Sequence, residues 1–426
     1  MEHLLAILAG SLLGMAIGIL PGMGILIAMI ISAPFLITWA PVDIFLFYAA
    51  LTQISQFTGS VTTMYTGIAG EPSGIPTVAE LPRLPASQYG DTIAAAAVGS
   101  FVAAILSITA CWILAAHLSA MSYFLRTELI SMLFVFALIG VIKYSSDDLK
   151  TSIGLCLSGI LLGLVGYNSN LETGILTFGN SSLTAGVPWD IVLLCLFTFP
   201  QLYRLSNSAV TVNHIPTSVK WPRLNYLRIT QYSAVGFVGG LMPGLAMIFS
   251  SMLSYNITCR TTTDPRERII SAETANNAGA VSQLIPLIIF GLPLVPSEAI
   301  ALSLMELKGF TASIASASII FGATALLQMT VAAIGLIMAW PLVTQVLTIL
   351  RTNLKLLRAG ILAILVLAIL YQAWLDYNMV FVLQCMVCLL ILGWALRLRD
   401  TTGLIFGYFI GDKLLDYGLR LHSLYF

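Results

Sequence analysis

The first apolar stretch of the chain contains G-I-L-P-G-M-G at residues 18–24, and the pattern returns as G-L-M-P-G at residues 240–244. Proline removes a backbone donor and glycine widens the accessible backbone angles, so a helix that reaches either motif is predicted to break there. A second match follows each motif, with G-S-V-T beginning at Gly59 and G-A-V-S beginning at Gly279. This repetition indicates an internal duplication.

The composition places these motifs in a lipid bilayer. Of the 426 residues 58% are hydrophobic and only 9% are charged, whereas about a quarter of a soluble domain is charged. Residues 3–42, 92–125 and 309–350 contain no Asp, Glu, Lys or Arg, and a membrane helix needs about 20 apolar residues. The sequence predicts an all-α polytopic membrane protein of about ten to twelve segments. Its two related halves are interpreted as inverted repeats with broken or re-entrant helices at the Pro-Gly motifs.

A polar connection at residues 201–229 separates a first membrane repeat, residues 1–200, from a second, residues 230–426. Its charged residues are all basic: Arg204, Lys220, Arg223 and Arg228. The positive-inside rule therefore places it in the cytoplasm. The loop Arg260–Arg268 is also basic. If it lies on the same side, residues 230–259 enter and return as a re-entrant hairpin, and the alternative is a single crossing with a kink.

The two breaks are candidate substrate sites through Pro21, Gly22, Gly24, Pro243 and Gly244. A helix that restarts inside the membrane presents free N–H groups and about half a positive charge, which can hold a carboxylate without a cationic side chain. A packing kink would explain either break alone. Two copies at matching positions favour a functional break.

Residues 53–66 form a polar cluster in an otherwise membrane-suited stretch: Gln53, Ser55, Gln56, Thr58, Ser60, Thr62, Thr63, Tyr65 and Thr66. Hydroxyls and amides can replace the water around an organic anion or an alkali cation. Alternatively, the hydroxyls bond to their own helix or to neighbouring helices. The cluster runs on towards a Gly-Glu-Pro turn, which favours binding. The predicted substrate residues here are Ser60, Thr62, Thr63, Gly70, Glu71 and Pro72, with Pro293 in the corresponding turn of the second half.

Glu273, Asn276 and Asn277 stand at i, i+3 and i+4 and so share one helical face. One carboxylate and two amides make a plausible oxygen-rich site for a coupling cation or proton. Ionisable groups within membrane segments are functional candidates by default, and Glu71 and Glu298 also fit that description. The alternative for Glu273 is a first-turn acid or a surface ion-pair partner, because it follows closely on a basic loop.

Several other functions are excluded by what the sequence lacks. The 19 basic residues are balanced by 19 acidic ones, so nucleic-acid binding is not expected. No P-loop motif is present, and no nucleophile, base and orienting acid occur together, so we predict no enzyme. Metal binding is not expected from one Cys-x-x-Cys and four scattered histidines, and the six cysteines are predicted to be free thiols.

Six motifs together resemble the large membrane subunit of tripartite tricarboxylate transporters, the TctA family. They are G-I-L-P-G-M-G, G-S-V-T-T-M-Y-T-G-I-A-G-E-P, A-A-V-G-S-F-V-A, A-E-T-A-N-N-A, I-P-L-I-I-F-G-L-P and G-Y-F-I-G-D-K-L-L-D. Their order and spacing cover nearly the whole chain. Two turns depart from the family pattern. Residues 69–72 read A-G-E-P where the family tends to have T-P-G-E, and residues 291–294 read G-L-P-L where it tends to have G-I-P-G.

The resemblance implies a multi-pass permease of the prokaryotic inner membrane that works with a small membrane subunit and a periplasmic solute-binding protein. It points to the same site residues: Pro21, Gly22, Gly24, Ser60, Thr62, Gly70, Glu71, Pro72, Pro243, Gly244, Glu273, Asn276, Asn277 and Pro293.

The predicted function is secondary active import of a small organic anion, a di- or tricarboxylate such as citrate, driven by a Na⁺ or H⁺ gradient without any cofactor. The alternatives are a passive anion channel and a carboxylate carrier that works without a periplasmic partner.

Overall fold

The computed structural model describes residues 2–19, 24–66, 72–118, 149–168, 171–187, 222–241, 246–339 and 379–395, with isolated positions within 132–142, 191–196 and 363–423. In chain order the helices are α1 (Glu2–Ile19), α2 (Ile25–Leu36), α3 (Pro41–Thr66), α4 (Ile75–Glu80), α5 (Tyr89–Leu118), α6 (Leu149–Gly163), α7 (Tyr226–Gly240), α8 (Ala246–Cys259), α9 (Pro265–Ser282), α10 (Leu284–Phe290), α11 (Pro296–Leu307), α12 (Ile314–Ile337) and α13 (Met379–Ala395). Short 3₁₀ turns cover Pro72–Gly74, Leu81–Arg83, Ala86–Gln88 and Ser181–Leu183.

The chain forms two compact units. The first comprises Met1–Phe124 and Ala209–Leu354, and the second comprises Leu125–Ser208 and Lys355–Phe426. Each of the two predicted repeats therefore contributes one segment to each unit. Most of the predicted connecting loop lies outside the described residues, so the division at residues 201–229 stays a prediction.

Described helices lie on either side of both Pro-Gly motifs. In the first unit α1 ends at Ile19 and α2 begins at Ile25, while α7 ends at Gly240 and α8 begins at Ala246. The motif centres at residues 20–23 and 242–245 lie outside the described residues. Within the described residues, Gly24 has an extended backbone directly before α2, and α7 ends at Gly240, so a helix start and a helix end fall at the motifs as predicted.

Helices α7 and α8 form a hairpin. Each has 14 or 15 residues, about 22 Å of helix, which is shorter than a hydrocarbon core of about 30 Å. The Ser250 hydroxyl donates to the Gly236 carbonyl at 2.8 Å. Arg228 at the start of α7 pairs with Glu267 at the start of α9 at 3.3 Å, so the chain leaves and returns at one end. This geometry favours the re-entrant alternative over a single kinked crossing.

Glycines bring the first helix of each half close to the polar helix of the same half. A Cβ atom added at Gly14 would lie 2.7 Å from the Leu51 carbonyl oxygen of α3, and one added at Gly236 would lie 2.3 Å from the Ala275 carbonyl oxygen of α9. Small residues let membrane helices approach closely enough for such backbone contact. Matching glycines of the two sequence halves therefore allow close packing against α3 and α9, whereas the inverted relation of the halves stays a prediction.

The second unit contains a feature that the sequence patterns did not predict. Strands β1 (Gly166–Asn168) and β2 (Thr173–Ile175) pair antiparallel directly after α6. The described residues are otherwise helical, which agrees with the predicted all-α class, and this short hairpin is an addition to it. Tyr408 also belongs to this unit, and its hydroxyl donates to the Val187 carbonyl at 2.7 Å.

Three helices of the described residues are long and apolar enough to cross a membrane: Glu2–Ile19, Tyr89–Ala115 and Ala315–Ile337. The last of these lies within the single helix α12. The predicted total of ten to twelve segments stays a prediction, because several predicted spans fall largely outside the described residues.

Candidate functional site

A small cavity lies between α1, α3, α9 and the turn before α4. Its volume is about 30 Å³, enough for one or two water molecules. The lining residues are Ile17, Gly18, Ser55, Gln56, Gly59, Ser60, Thr63, Ser73, Gly74, Glu273 and Asn276. The cavity thus joins the polar cluster of α3 to the acidic face of α9, although the sequence analysis assigned those two sets to different ligands.

The start of α9 positions Glu273 well inside the protein. Asp264 caps the helix by accepting from the Arg266 N–H at 3.0 Å, and Pro265 occupies the first turn, where its missing donor costs little. Glu273 follows two turns later and is 2% exposed. The alternative of a first-turn or surface acid is therefore wrong, and Glu267 takes that place instead.

Two hydroxyl groups hold the Glu273 carboxylate. Ser60 of α3 donates to Oε2, and Thr77 of α4 donates to Oε1. No described Lys or Arg forms an ion pair with this carboxylate. Hydroxyl donors offset only part of the desolvation of a buried charge, so the described residues leave a negative charge at Glu273 without a balancing cation.

Asn276 extends the site along α9. Its Nδ2 donates to the Gln56 Oε1 atom of α3 at 2.7 Å, which joins the two polar helices directly. Its Oδ1 is buried without a hydrogen-bond partner in the described part of the chain. This oxygen and the Glu273 carboxylate belong to residues that line the same cavity, and oxygen atoms are the ligands that hard cations prefer.

Two other predicted residues have structural contacts. Asn277 donates to the Ser100 hydroxyl at 2.8 Å and to the Glu273 carbonyl at 3.1 Å, so it packs α9 against α5 and does not line the cavity. Thr62 donates to the Thr58 carbonyl of its own helix at 3.0 Å, which is the alternative considered for the hydroxyl cluster.

Glu298 also has a structural contact. Its Oε2 accepts from the Leu294 N–H at 2.6 Å just before α11, as an acid near a helix N-terminus commonly does.

The remaining predicted residues flank the site or fall outside the described chain. Gly24 precedes α2 and its carbonyl accepts from the Ile27 N–H at 3.1 Å. Pro72 opens the 3₁₀ turn whose Ser73 lines the cavity. Pro293 is buried in the turn between α10 and α11, away from the cavity lining. Those outside the described residues are Pro21, Gly22, Gly70, Glu71, Pro243 and Gly244, and their roles stay predictions.

The site includes Thr77, which the sequence analysis missed. A signal exists, because Pro76-Thr77 matches Pro296-Ser297 at the same offset of 220 residues that relates Gly59 to Gly279. The motifs used in the sequence analysis stopped before this dipeptide.

The short helix α4 is also bound to the second half at its other end. Glu80 accepts at its Oε1 from the Tyr255 hydroxyl at 2.7 Å, from Arg268 at 3.0 Å and from Arg83 at 3.3 Å. Burial raises the pKa of Glu80, but the hydrogen bonds from Tyr255 and Arg268 and the nearby guanidinium charges lower it more, so its net pKa lies below the ordinary value. Contacts to α9 thus fix α4 through both Thr77 and Glu80.

Replacing Glu80 by Gln is expected to loosen this attachment. A hydrogen bond to a charged group contributes about 2 kcal/mol, so the melting temperature of the purified protein should fall by several degrees at pH 7. Because the folded pKa is lowered, the contribution exists above the ordinary pKa of about 4.3 and is lost as the pH falls through the folded value. Melting curves should therefore converge in acid, and a difference between variant and wild type that persists there would contradict the assignment.

Comparison with known proteins identifies the chain that builds this site. The family model described as "Tripartite tricarboxylate transporter TctA family" matches residues 4–403. The chain belongs to the TctA family. The resemblance inferred from the six motifs is thereby confirmed.

One curated relative is described as "Uncharacterized 52.8 kDa protein in TAR-I ttuC' 3'region" from Agrobacterium vitis. It is 26% identical to the TctA chain over 318 residues, which cover 71% of this chain and 63% of the relative. The chain thus matches less than two thirds of that relative's length. No solved structure matches the chain.

Proposed function

We propose that the protein is the permease subunit of a secondary active transporter that imports a small organic anion, a di- or tricarboxylate such as citrate, with Na⁺ or H⁺. The observation that supports this most directly is the buried Glu273 carboxylate beside a polar cavity, held by hydroxyls from two other helices and by no described cationic side chain. Such a group needs a mobile positive charge, and a coupling ion is one.

The requirement for charge balance gives the proposed coupling. With Glu273 ionised and uncompensated, the site repels an incoming carboxylate. Binding of Na⁺ or H⁺ at Glu273, with Asn276 as a further oxygen ligand for a metal ion, removes that repulsion. The anion and the ion then bind together and cross together, since the site with only one of them is disfavoured.

The anion itself requires more room than the cavity provides. A volume of about 30 Å³ holds one or two water-sized groups, whereas a di- or tricarboxylate is several times larger. Substrate binding therefore includes movement of the cavity walls.

The cellular setting is part of the same proposal. The family implies partner subunits, and we assign this chain to the prokaryotic inner membrane together with a small membrane subunit and a periplasmic solute-binding protein. A carrier that works without the periplasmic partner remains the alternative.

Uptake of labelled citrate into vesicles tests the proposal. The purified chain, alone and with co-expressed partner subunits, is reconstituted and given an inward Na⁺ or H⁺ gradient. We expect accumulation above the external concentration that collapses when the gradient is dissipated by an ionophore. If labelled citrate inside the vesicles only reaches the external concentration, and unlabelled citrate inside does not speed its entry, the result would indicate the passive channel instead.

A further inference from the structure

Helices α3 and α9 meet through residues that correspond in the duplicated sequence. Gln56 and Asn276 are hydrogen-bonded at 2.7 Å, and their numbers differ by 220, the same offset that relates Gly59 to Gly279 and Pro76 to Pro296. Because these corresponding residues contact each other directly, the symmetry axis that would relate α3 to α9 passes close to this pair.

The register at this contact is antiparallel. Gln56 meets Asn276, whereas Ser60, one turn further along α3, meets Glu273, one turn back along α9. Continuing the register in the other direction brings Gln53 opposite Gly279 and Ala280. Neither of these residues has a side chain that can donate or accept a hydrogen bond.

Gln53 is the counterpart of Glu273 at the same offset of 220 residues, and Ser297 is the counterpart of Thr77. Thr77 donates to Glu273, but Ser297 bonds to the Tyr48 hydroxyl at 3.1 Å. Gln53 is 1% exposed, and neither its Nε2 nor its Oε1 has a hydrogen-bond partner within the described residues. A buried, unpaired amide costs free energy, and Gln53 lies one turn from Gln56, which lines the cavity.

We propose that Gln53 is a substrate-binding residue, whose amide donates to a carboxylate group of the transported anion on the opposite side of the Gln56–Asn276 pair from Glu273. The inference rests on the proposed transport of a di- or tricarboxylate. According to this proposal, the site between α3 and α9 has an acidic half that binds the coupling ion and a neutral half that binds the anion.

The chemistry of the two halves supports this division. A carboxylate is an acceptor, and an unpaired amide N–H₂ supplies two donors without adding a charge. An acid at this position would repel the anion, as Glu273 does in its ionised form. Placing the two ligands on either side of the axis keeps the acidic side chain and the substrate carboxylate apart.

Replacing Gln53 by Leu tests the proposal, because Leu has a similar size but no hydrogen-bonding group. We expect the KM for citrate uptake to rise by about tenfold or more, since a hydrogen bond to a charged group is lost. The melting temperature without citrate should stay equal or rise, because an unpaired buried amide is removed. Gln53→Glu should raise the KM further by charge repulsion, and in both variants net uptake should still require the same coupling ion.

Ser152→Ala is the matched control. The Ser152 hydroxyl of α6 is also buried without a partner in the described chain, but Ser152 belongs to the second unit, so the KM of this variant should equal that of wild type. A wild-type KM in Gln53→Leu overturns the inference and leaves the proposed function intact. A wild-type protein that shows neither citrate accumulation nor citrate-induced thermal stabilisation overturns both. Loss of stability in Gln53→Leu with an unchanged KM would make Gln53 a packing residue and also refute its role in binding.

Discussion

Net uptake of citrate driven by an ion gradient is expected to fall to the level of empty vesicles when Glu273 is replaced by Gln. The amide keeps the shape of the side chain and can still bond to Ser60 and Thr77. It cannot become negatively charged, so it no longer requires an ion to balance the site. The measurement is the initial rate of labelled citrate uptake with and without the Na⁺ or H⁺ gradient.

Exchange of citrate across the membrane should behave differently in the same variant. A neutral residue at position 273 resembles the ion-loaded state, so labelled citrate outside should still exchange with unlabelled citrate inside. Glu267→Gln provides the control, since Glu267 is an acid on the same helix that pairs with Arg228 at the protein surface. Gradient-driven uptake that is unchanged in Glu273→Gln, or lost equally in both variants, would remove the assigned coupling role.

Ser60→Ala and Thr77→Val separate the two hydroxyl contacts of Glu273. Each variant removes one donor to the carboxylate, which raises the cost of its ionised form. We expect the half-saturating concentration of the coupling ion to change several-fold while uptake remains gradient-driven. An ion dependence identical to wild type in both variants would show that these contacts do not affect coupling.

Local sequence signals predicted the interrupted helices well. Proline and glycine act on the backbone of their own segment, so the start of α2 and the end of α7 could be placed from the motifs alone. The polar cluster of α3 and the acidic face of α9 were also recognisable, because hydroxyls, amides and carboxylates are rare in lipid-facing helices. Both appear among the residues that line the cavity.

The contact between those two helices could not be predicted in the same way. Ser60 and Glu273 are 213 positions apart in the chain, and helical periodicity says nothing about which helix packs opposite which. The sequence analysis therefore assigned Ser60 to the substrate and Glu273 to the ion. Only the packing of α3 against α9 shows that the two residues share one site.

Short elements were missed for a related reason. Helix α4 has only six residues, too few for a periodic pattern, and its role arises from contacts to α9. The hairpin of β1 and β2 is equally short, and left-handed backbone angles occur nearby at Glu172, Leu176 and Phe178, where no glycine indicates them. The antiparallel register of α3 and α9 agrees with inverted repeats, a relation that remains a prediction.

Replacing Gly236 by Ala is expected to destabilise the first unit more than any single change to the polar site. The added Cβ would lie 2.3 Å from the Ala275 carbonyl oxygen and 2.5 Å from its Cα atom. Both atoms belong to the backbone of α9, so no side-chain rotation can relieve the clash, and α7 must move away from α9. Overpacking of this kind costs about 3 kcal/mol, and the melting temperature in detergent should fall by many degrees.

Gly322→Ala tests whether the loss of stability comes from the clash with Ala275 or simply from placing alanine in a membrane helix. Its added Cβ would meet only the Trp112 ring nitrogen, at 3.9 Å, and alanine favours a helix by about 1 kcal/mol over glycine. We therefore expect the control to melt at or above the wild-type temperature. Because Ala275 adjoins Asn276, displacement of α7 should also shift the site and lower uptake in the Gly236 variant. A Gly236→Ala protein with wild-type melting would mean that α7 and α9 do not touch, and the positioning of Asn276 would need another explanation.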